Sequence, residues 1–151
     1  MVYVMRGIPG AGKTTYVNKF TKEHPELRVS ICSADHYHMR DGEYKFDPKN
    51  LAAAHQECLK LFINCMSWKN ADVVFVDNTN ITVTEIAPYI AVAQALGWRA
   101  EVITLLADPW ACAKRNVHGV PEDKVWKMLN LMDGEEKRFP PFWTHHTYLG
   151  G

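Results

Sequence analysis

Neither sign of charge predominates in this sequence: 17 lysines and arginines are balanced by 17 aspartates and glutamates. That balance speaks against the broad electrostatic grip of a protein that holds a nucleic-acid duplex along its length, and leaves room for a local basic patch. No apolar run is long enough to span a bilayer, so no membrane partner is expected. The four cysteines, Cys32, Cys58, Cys65 and Cys112, form no C-x-x-C pair and no zinc spacing, and reduced thiols in a cytoplasmic chain are the simplest reading. No signal peptide is expected, because the first strand-like stretch begins at the first residues. Internal repeats, low-complexity tracts and linkers are also missing. What remains is 151 residues, 47% hydrophobic and 23% charged, which suggests one globular domain over residues 1–151 with a real core.

One stretch organises the rest. Gly7-Ile8-Pro9-Gly10-Ala11-Gly12-Lys13-Thr14 fits G-x-x-x-x-G-K-[ST], the phosphate-binding loop. Met1-Val2-Tyr3-Val4-Met5 before it is rich in strand formers, and Thr15-Tyr16-Val17-Asn18-Lys19-Phe20 after it continues as a helix. Strand, Gly-rich turn and helix are the context the motif needs. The glycines let backbone N–H groups turn inward without a Cβ clash. Those groups and the helix N-terminus then form an anion hole. Lys13 is expected to reach β- and γ-phosphates, and the Thr14 hydroxyl to ligate Mg²⁺.

The remaining elements follow from periodicity and breakers. A helix is expected from about Lys13 to His24, stopped by Pro25, and a second strand over Arg28–Cys32. Its carboxyl end delivers Asp35 to the edge where an open α/β sheet binds ligands; the other reading of Asp35 is a helix N-cap. His38 to Pro48 reads as a polar, aromatic loop with a turn at Asp41-Gly42. A long helix from about Pro48 to Trp68 carries the stripe Leu51, His55, Cys58, Leu59, Phe62, Ile63 and Met66, with His55 read as packed rather than ligating. Asp72-Val73-Val74-Phe75-Val76-Asp77 is a buried strand with the Walker B pattern. Asp77 is expected to hold Mg²⁺, directly or through water, and Asn78-Thr79-Asn80 to extend into the cleft, with an Asx turn as the alternative.

A helix from about Val83 to Leu96 ends at Gly97, and Arg99 to Leu106 forms the fourth strand. A short helix from Pro109 to about Asn116 and a final one from Pro121 to about Arg138 flank a basic, Gly- and Pro-broken connection. That connection, about 114–123, suits a lid. Arg115 there is read as neutralising charge on a transferred phosphoryl group, with a solvated basic face as the alternative. The aromatic tail, about 139–151, is expected to pack against the body; His145-His146 alone is weak support for a metal. The expected fold is a three-layer α/β P-loop fold, with a parallel sheet in the order 2-3-1-4 and helices on both faces.

Several of these stretches taken together resemble the P-loop kinase domain of the phage polynucleotide kinases, and more closely the NEDD4-binding-protein-2-like group of small P-loop kinases. They are the phosphate loop, Ser33-Ala34-Asp35 with Tyr37, Asp41-Gly42-Glu43-Tyr44-Lys45-Phe46-Asp47-Pro48, Ala54-His55, Val76-Asp77-Asn78-Thr79-Asn80, and Arg115-Asn116-Val117-His118-Gly119-Val120-Pro121. The resemblance implies that Gly7, Ile8, Pro9, Gly10, Ala11, Gly12, Lys13, Thr14 and Thr15 contact ATP. It implies that Thr14 and Asp77 hold Mg²⁺, that Asp35 is the general base for the attacking hydroxyl, and that Arg115 is a lid arginine. Departures touch the acceptor side. His36 stands where a second acid is usual. His38 stands where polynucleotide kinases place an arginine on the acceptor's phosphate, with Arg40 nearby as a substitute. Gly119 lies near the place of a second lid arginine. No counterpart of the phosphatase domain of bifunctional repair enzymes is present in these residues.

The function this implies is ATP-dependent phosphorylation of a hydroxyl of a nucleic acid: a 5′-hydroxyl end, or the hydroxymethyl group of a modified pyrimidine in DNA such as 5-hydroxymethyluracil. Two alternatives stand beside it, a kinase for a nucleoside or sugar, and a nucleotide-binding adaptor without transfer.

Overall fold

Alternation along each inner strand sends neighbouring side chains to opposite faces of one sheet, and that alternation builds two cores. The computed structural model describes residues 1–40, 42–68 and 70–150, without the side chain of Arg40. Strands β1 (Val2–Arg6), β2 (Val29–Cys32), β5 (Val73–Asp77), β6 (Ala100–Leu106) and β7 (Thr144–Leu149) form a five-stranded sheet in the order β2-β5-β1-β6-β7, parallel throughout. A separate hairpin pairs β3 (Met39–Arg40) with β4 (Glu43–Tyr44). Val2, Val4, Val74 and Val76 face one core, shared with Phe62, Ile86 and Ile90. Met5, Val73 and Phe75 face the other, shared with Val17 and Val125.

The helices that cover these faces are α1 (Lys13–Glu23), α2 (Asp35–His38), α3 (Leu51–Ser67), α4 (Val83–Ala95), α5 (Pro109–Arg115) and α6 (Glu122–Glu136). Helices α3 and α4 supply the first core, and α1, α5 and α6 the second. Parallel neighbours cannot be joined by tight turns, so each connection crosses over through at least one helix. Local chemistry fixes the ends. Thr82 and Glu85 form a reciprocal capping box at the start of α4. Asp108 Oδ2 accepts from Ala111 N at 3.0 Å to start α5. No helix among the described residues is long and apolar enough to cross a membrane.

The expected order 2-3-1-4 holds for β2, β5, β1 and β6. The sheet has one strand more: the aromatic tail is no loose packing segment but contributes β7, paired with β6 from Glu101↔Thr144 to Leu106↔Leu149. Its side chains are nearly all exposed, so no alternation marked it as a strand. Phe139 and Trp143, just before it, do pack against the first core. The loop read over His38–Pro48 holds the β3–β4 hairpin and ends in a 3₁₀ turn, Pro48–Asn50. Asp41 of the expected turn lies outside the described residues, as does the side chain of Arg40.

A fully enclosed arginine sits inside this frame. Arg6 ends β1 with its side chain fully enclosed. It donates to Met132 O at 2.6 Å, Ile81 O at 3.4 Å and Thr104 Oγ1 at 3.3 Å, sits 3.6 Å from Glu136, and lies 5.0 Å from the centre of the Phe139 ring. It thus ties β1 to α6 and to the entrance of β7. Arg6→Ala strands these acceptors and is expected to cost about 3–5 kcal/mol of stability in urea unfolding. Arg6→Lys, which lacks the planar fork, should recover only part of that loss.

Candidate active site

The carboxyl ends of β1, β2 and β5 lie side by side, so the residues that follow them meet at one edge. After β1 comes the Gly-rich loop. Gly10 has φ +83° and Gly12 φ +95°, and a Cβ on Gly10 would run into the Cys112 carbonyl of α5. Gly7 N donates to Thr79 O at 3.0 Å, and Ala11 N to Ile8 O at 3.1 Å. Ile8 and Ala11 bury their side chains in the core beneath. Helix α1 begins with Gly12 as its N-cap and no side chain capping it, which leaves first-turn N–H groups for an anion.

Lys13 is the buried cation of the site. Its Nζ donates to Gly7 O at 2.9 Å and Ile8 O at 3.0 Å. Burial lowers its pKa, and the carboxylates Asp77 and Asp35 oppose that shift. Thr14 Oγ1 donates to Asp77 Oδ2 at 3.0 Å. Burial raises the Asp77 carboxyl, and Lys13 opposes it. A hydroxyl and a carboxylate are hard oxygen donors, so the pair suits Mg²⁺, which takes few protein ligands and keeps much of its water. Among the described residues, no group of three or more His, Cys, Asp or Glu is placed to hold a metal ion.

Asp35 opens α2 at the end of β2. Asn78, which follows β5, accepts from Ala34 N at 2.8 Å and points its amide nitrogen at Cys58 Sγ, 3.5 Å away. The strand ends and α3 are thereby locked together beneath Asp35. The carboxylate is half exposed, and its Oδ2 lies 3.2 Å from His118 Nε2. Tyr44 stands beside it. Burial first, and then the Asp35 carboxylate, push the Tyr44 hydroxyl up to about 12.

From the other side comes the connection between α5 and α6. Arg115 Nε donates to Gly10 O at 2.7 Å, so the guanidinium lies against the phosphate loop. Asn116 donates to Ala113 O at 2.9 Å and Val120 O at 3.1 Å and accepts from Val120 N at 2.8 Å, closing the following turn. The cleft enclosed by all these groups has a volume of about 620 Å³. Lys13, Thr14, Thr15, Asp35, His38, Asp77 and Arg115 all line it, joined by Tyr44, Phe46 and His55.

Three placements differ from the sequence reading or add to it. Asn80 does not extend into the cleft: it is buried, has φ +46°, and donates to Met5 O at 2.7 Å, so it braces the strand beneath. His38 lines the cleft yet is only 3% exposed, its ring packed among Tyr37, Tyr44 and Phe46. His118 was not singled out from sequence. Its one signal was membership of the Arg115–Pro121 stretch, because the contact with Asp35 spans 83 positions that only the fold closes.

Comparison with known proteins agrees with this geometry. The profile of an AAA domain (AAA_33) matches residues 2–130. Human NEDD4-binding protein 2 is 30% identical over 135 residues, covering 85% of this chain; the chain spans only 7% of that protein's length. Among solved structures, the Pnkp1/Rnl/Hen1 RNA repair complex superposes with TM-score 0.73 at 14% identity, over 92% of this chain and 46% of that one. A gluconokinase from Sinorhizobium meliloti 1021 superposes with TM-score 0.61 at 13% identity, over 97% and 81%. These likenesses establish a P-loop kinase fold.

Gly10→Ala adds a Cβ at positive φ against backbone that has no room to move aside. It is expected to cost about 1–3 kcal/mol in urea unfolding, with Gly119→Ala, open on all sides, costing less.

Proposed function

We propose that this chain, which belongs to the AAA-domain family that its sequence matches, is an ATP-dependent kinase that transfers the γ-phosphate to a hydroxyl of a nucleic-acid acceptor. The observation that carries this reading is the half-exposed Asp35 carboxylate in the same cleft as Lys13 and Arg115. A nucleotide on the phosphate loop brings its phosphates under the N-terminus of α1 and against Lys13. Asp35 accepts the proton of the attacking hydroxyl as its oxygen bonds to the γ-phosphorus and the bond to the leaving ADP oxygen breaks. Lys13 and Arg115 stabilise charge on the phosphoryl group between the two oxygens. Thr14 and Asp77 would hold the magnesium ion, which when bound neutralises charge on the β- and γ-phosphates. Residues 1–151 are read as one kinase domain, with 114–123 as its lid.

Support for a nucleic-acid acceptor comes from the motif combination shared with polynucleotide kinases and from the fold shared with the RNA repair complex. Tyr44 and Phe46 on the acceptor side offer rings on which a base can stack. The acceptor hydroxyl is a 5′-hydroxyl end or the hydroxymethyl group of a modified pyrimidine. A small-molecule acceptor is the second reading, favoured by the balanced charge of the chain and the fold shared with a gluconokinase.

The deciding experiment is transfer of labelled γ-phosphate from ATP–Mg²⁺ to a 5′-hydroxyl oligonucleotide, to 5′-blocked DNA containing 5-hydroxymethyluracil, and to free nucleosides and sugars. Label on either nucleic acid is expected. Label on small molecules alone would replace the acceptor class, and no label anywhere would leave a nucleotide-binding adaptor. Asp35→Ala should lower kcat by about 100- to 10,000-fold with ATP binding retained. Arg115→Ala should lower it by about 100- to 1,000-fold.

A further inference from the structure

His118 reaches the cleft on the turn between α5 and α6, and its Nε2 lies 3.2 Å from Asp35 Oδ2. Two independent features hold it there. The turn is closed by the three hydrogen bonds of Asn116. The imidazole also rests on the Tyr44 ring, 4.4 Å between centroids and tilted by 46°. Tyr44 comes from the β3–β4 hairpin and lines the same cleft as Asp35. The imidazole thus stands between the Asp35 carboxylate and the Tyr44 ring. A carboxylate offers about four lone-pair sites, so this neighbour still leaves room for an acceptor hydroxyl.

We propose that His118 is a positioning residue for phosphoryl transfer: from the lid turn, its imidazole, with Nε2 3.2 Å from Asp35 Oδ2, holds the carboxylate in the orientation that receives the acceptor's proton. This rests on the kinase reading above. The proton moves from the acceptor hydroxyl to Asp35, and His118 keeps its own throughout, acting only through the carboxylate. Its loss must then appear in turnover and not in ATP affinity, and it must vanish when Asp35 is already disabled.

The test is steady-state kinetics of the full chain on the acceptor class that takes label. His118→Phe keeps a ring on Tyr44 without the donor, and is expected to lower kcat by about 10- to 100-fold with the KM for ATP unchanged. His118→Gln, which returns an N–H near the same place, should recover most of that loss. Adding His118→Phe to Asp35→Asn should cost nothing further. A wild-type kcat in His118→Phe, a loss confined to the KM for ATP, or an equal further loss on top of Asp35→Asn would each overturn the assignment and leave the kinase reading standing. Absence of transfer by the wild-type chain to every acceptor would overturn both.

Discussion

A buried ammonium group needs negative partners close by, and most of this site can be read as the answer to Lys13. Its Nζ is buried and donates to the Gly7 and Ile8 carbonyls of the loop it belongs to. Desolvation alone would favour its neutral form. Asp77 and Asp35 supply the opposing field, and they can do so only because parallel strands end at the same edge. Burial raises the Asp77 carboxyl in turn, and Lys13 and the Thr14 hydroxyl oppose that shift. Sheet direction, loop glycines and carboxylate placement are thus one electrostatic problem, solved by the topology.

The Asp35 side of the cleft obeys a different logic. There the polar groups are held by packing more than by charge. His38 is nearly enclosed by rings, and Tyr44 touches both His38 and His118. Asn78 uses both ends of its amide under α2, so Asp35 stands on a braced turn and not on a loose loop. On the proposed kinase reading, this braced turn under Asp35 and the α5–α6 turn beside it are what keep reacting atoms aligned.

Local signals in the sequence were sufficient for the phosphate loop, for β1, β5 and β6, and for the helix limits, because glycine, proline and apolar alternation act over a few residues. Lys13, Thr14, Asp35, Asp77 and Arg115 could be named from motifs and do share one cleft. What stayed hidden was set by long-range closure. Strand β7 is an edge strand whose exposed side chains carry no core pattern; its place is fixed by pairing with β6. Asn80 looked like a cleft residue because it follows Asp77, yet the backbone reverses at its positive φ and sends the amide under β1. His118 gained its neighbour only when the α5–α6 turn met the end of β2.

The three hydrogen bonds of Asn116 bear on the entropy of closure. Fixing a backbone residue costs roughly 1–2 kcal/mol in lost conformational freedom, so a floppy connection of five residues would tax every closed state heavily. Residues 116–120 are already bound into one turn by a single side chain. Most of that ordering is therefore complete before a ligand arrives. Less of a ligand's binding free energy is then absorbed in ordering this turn.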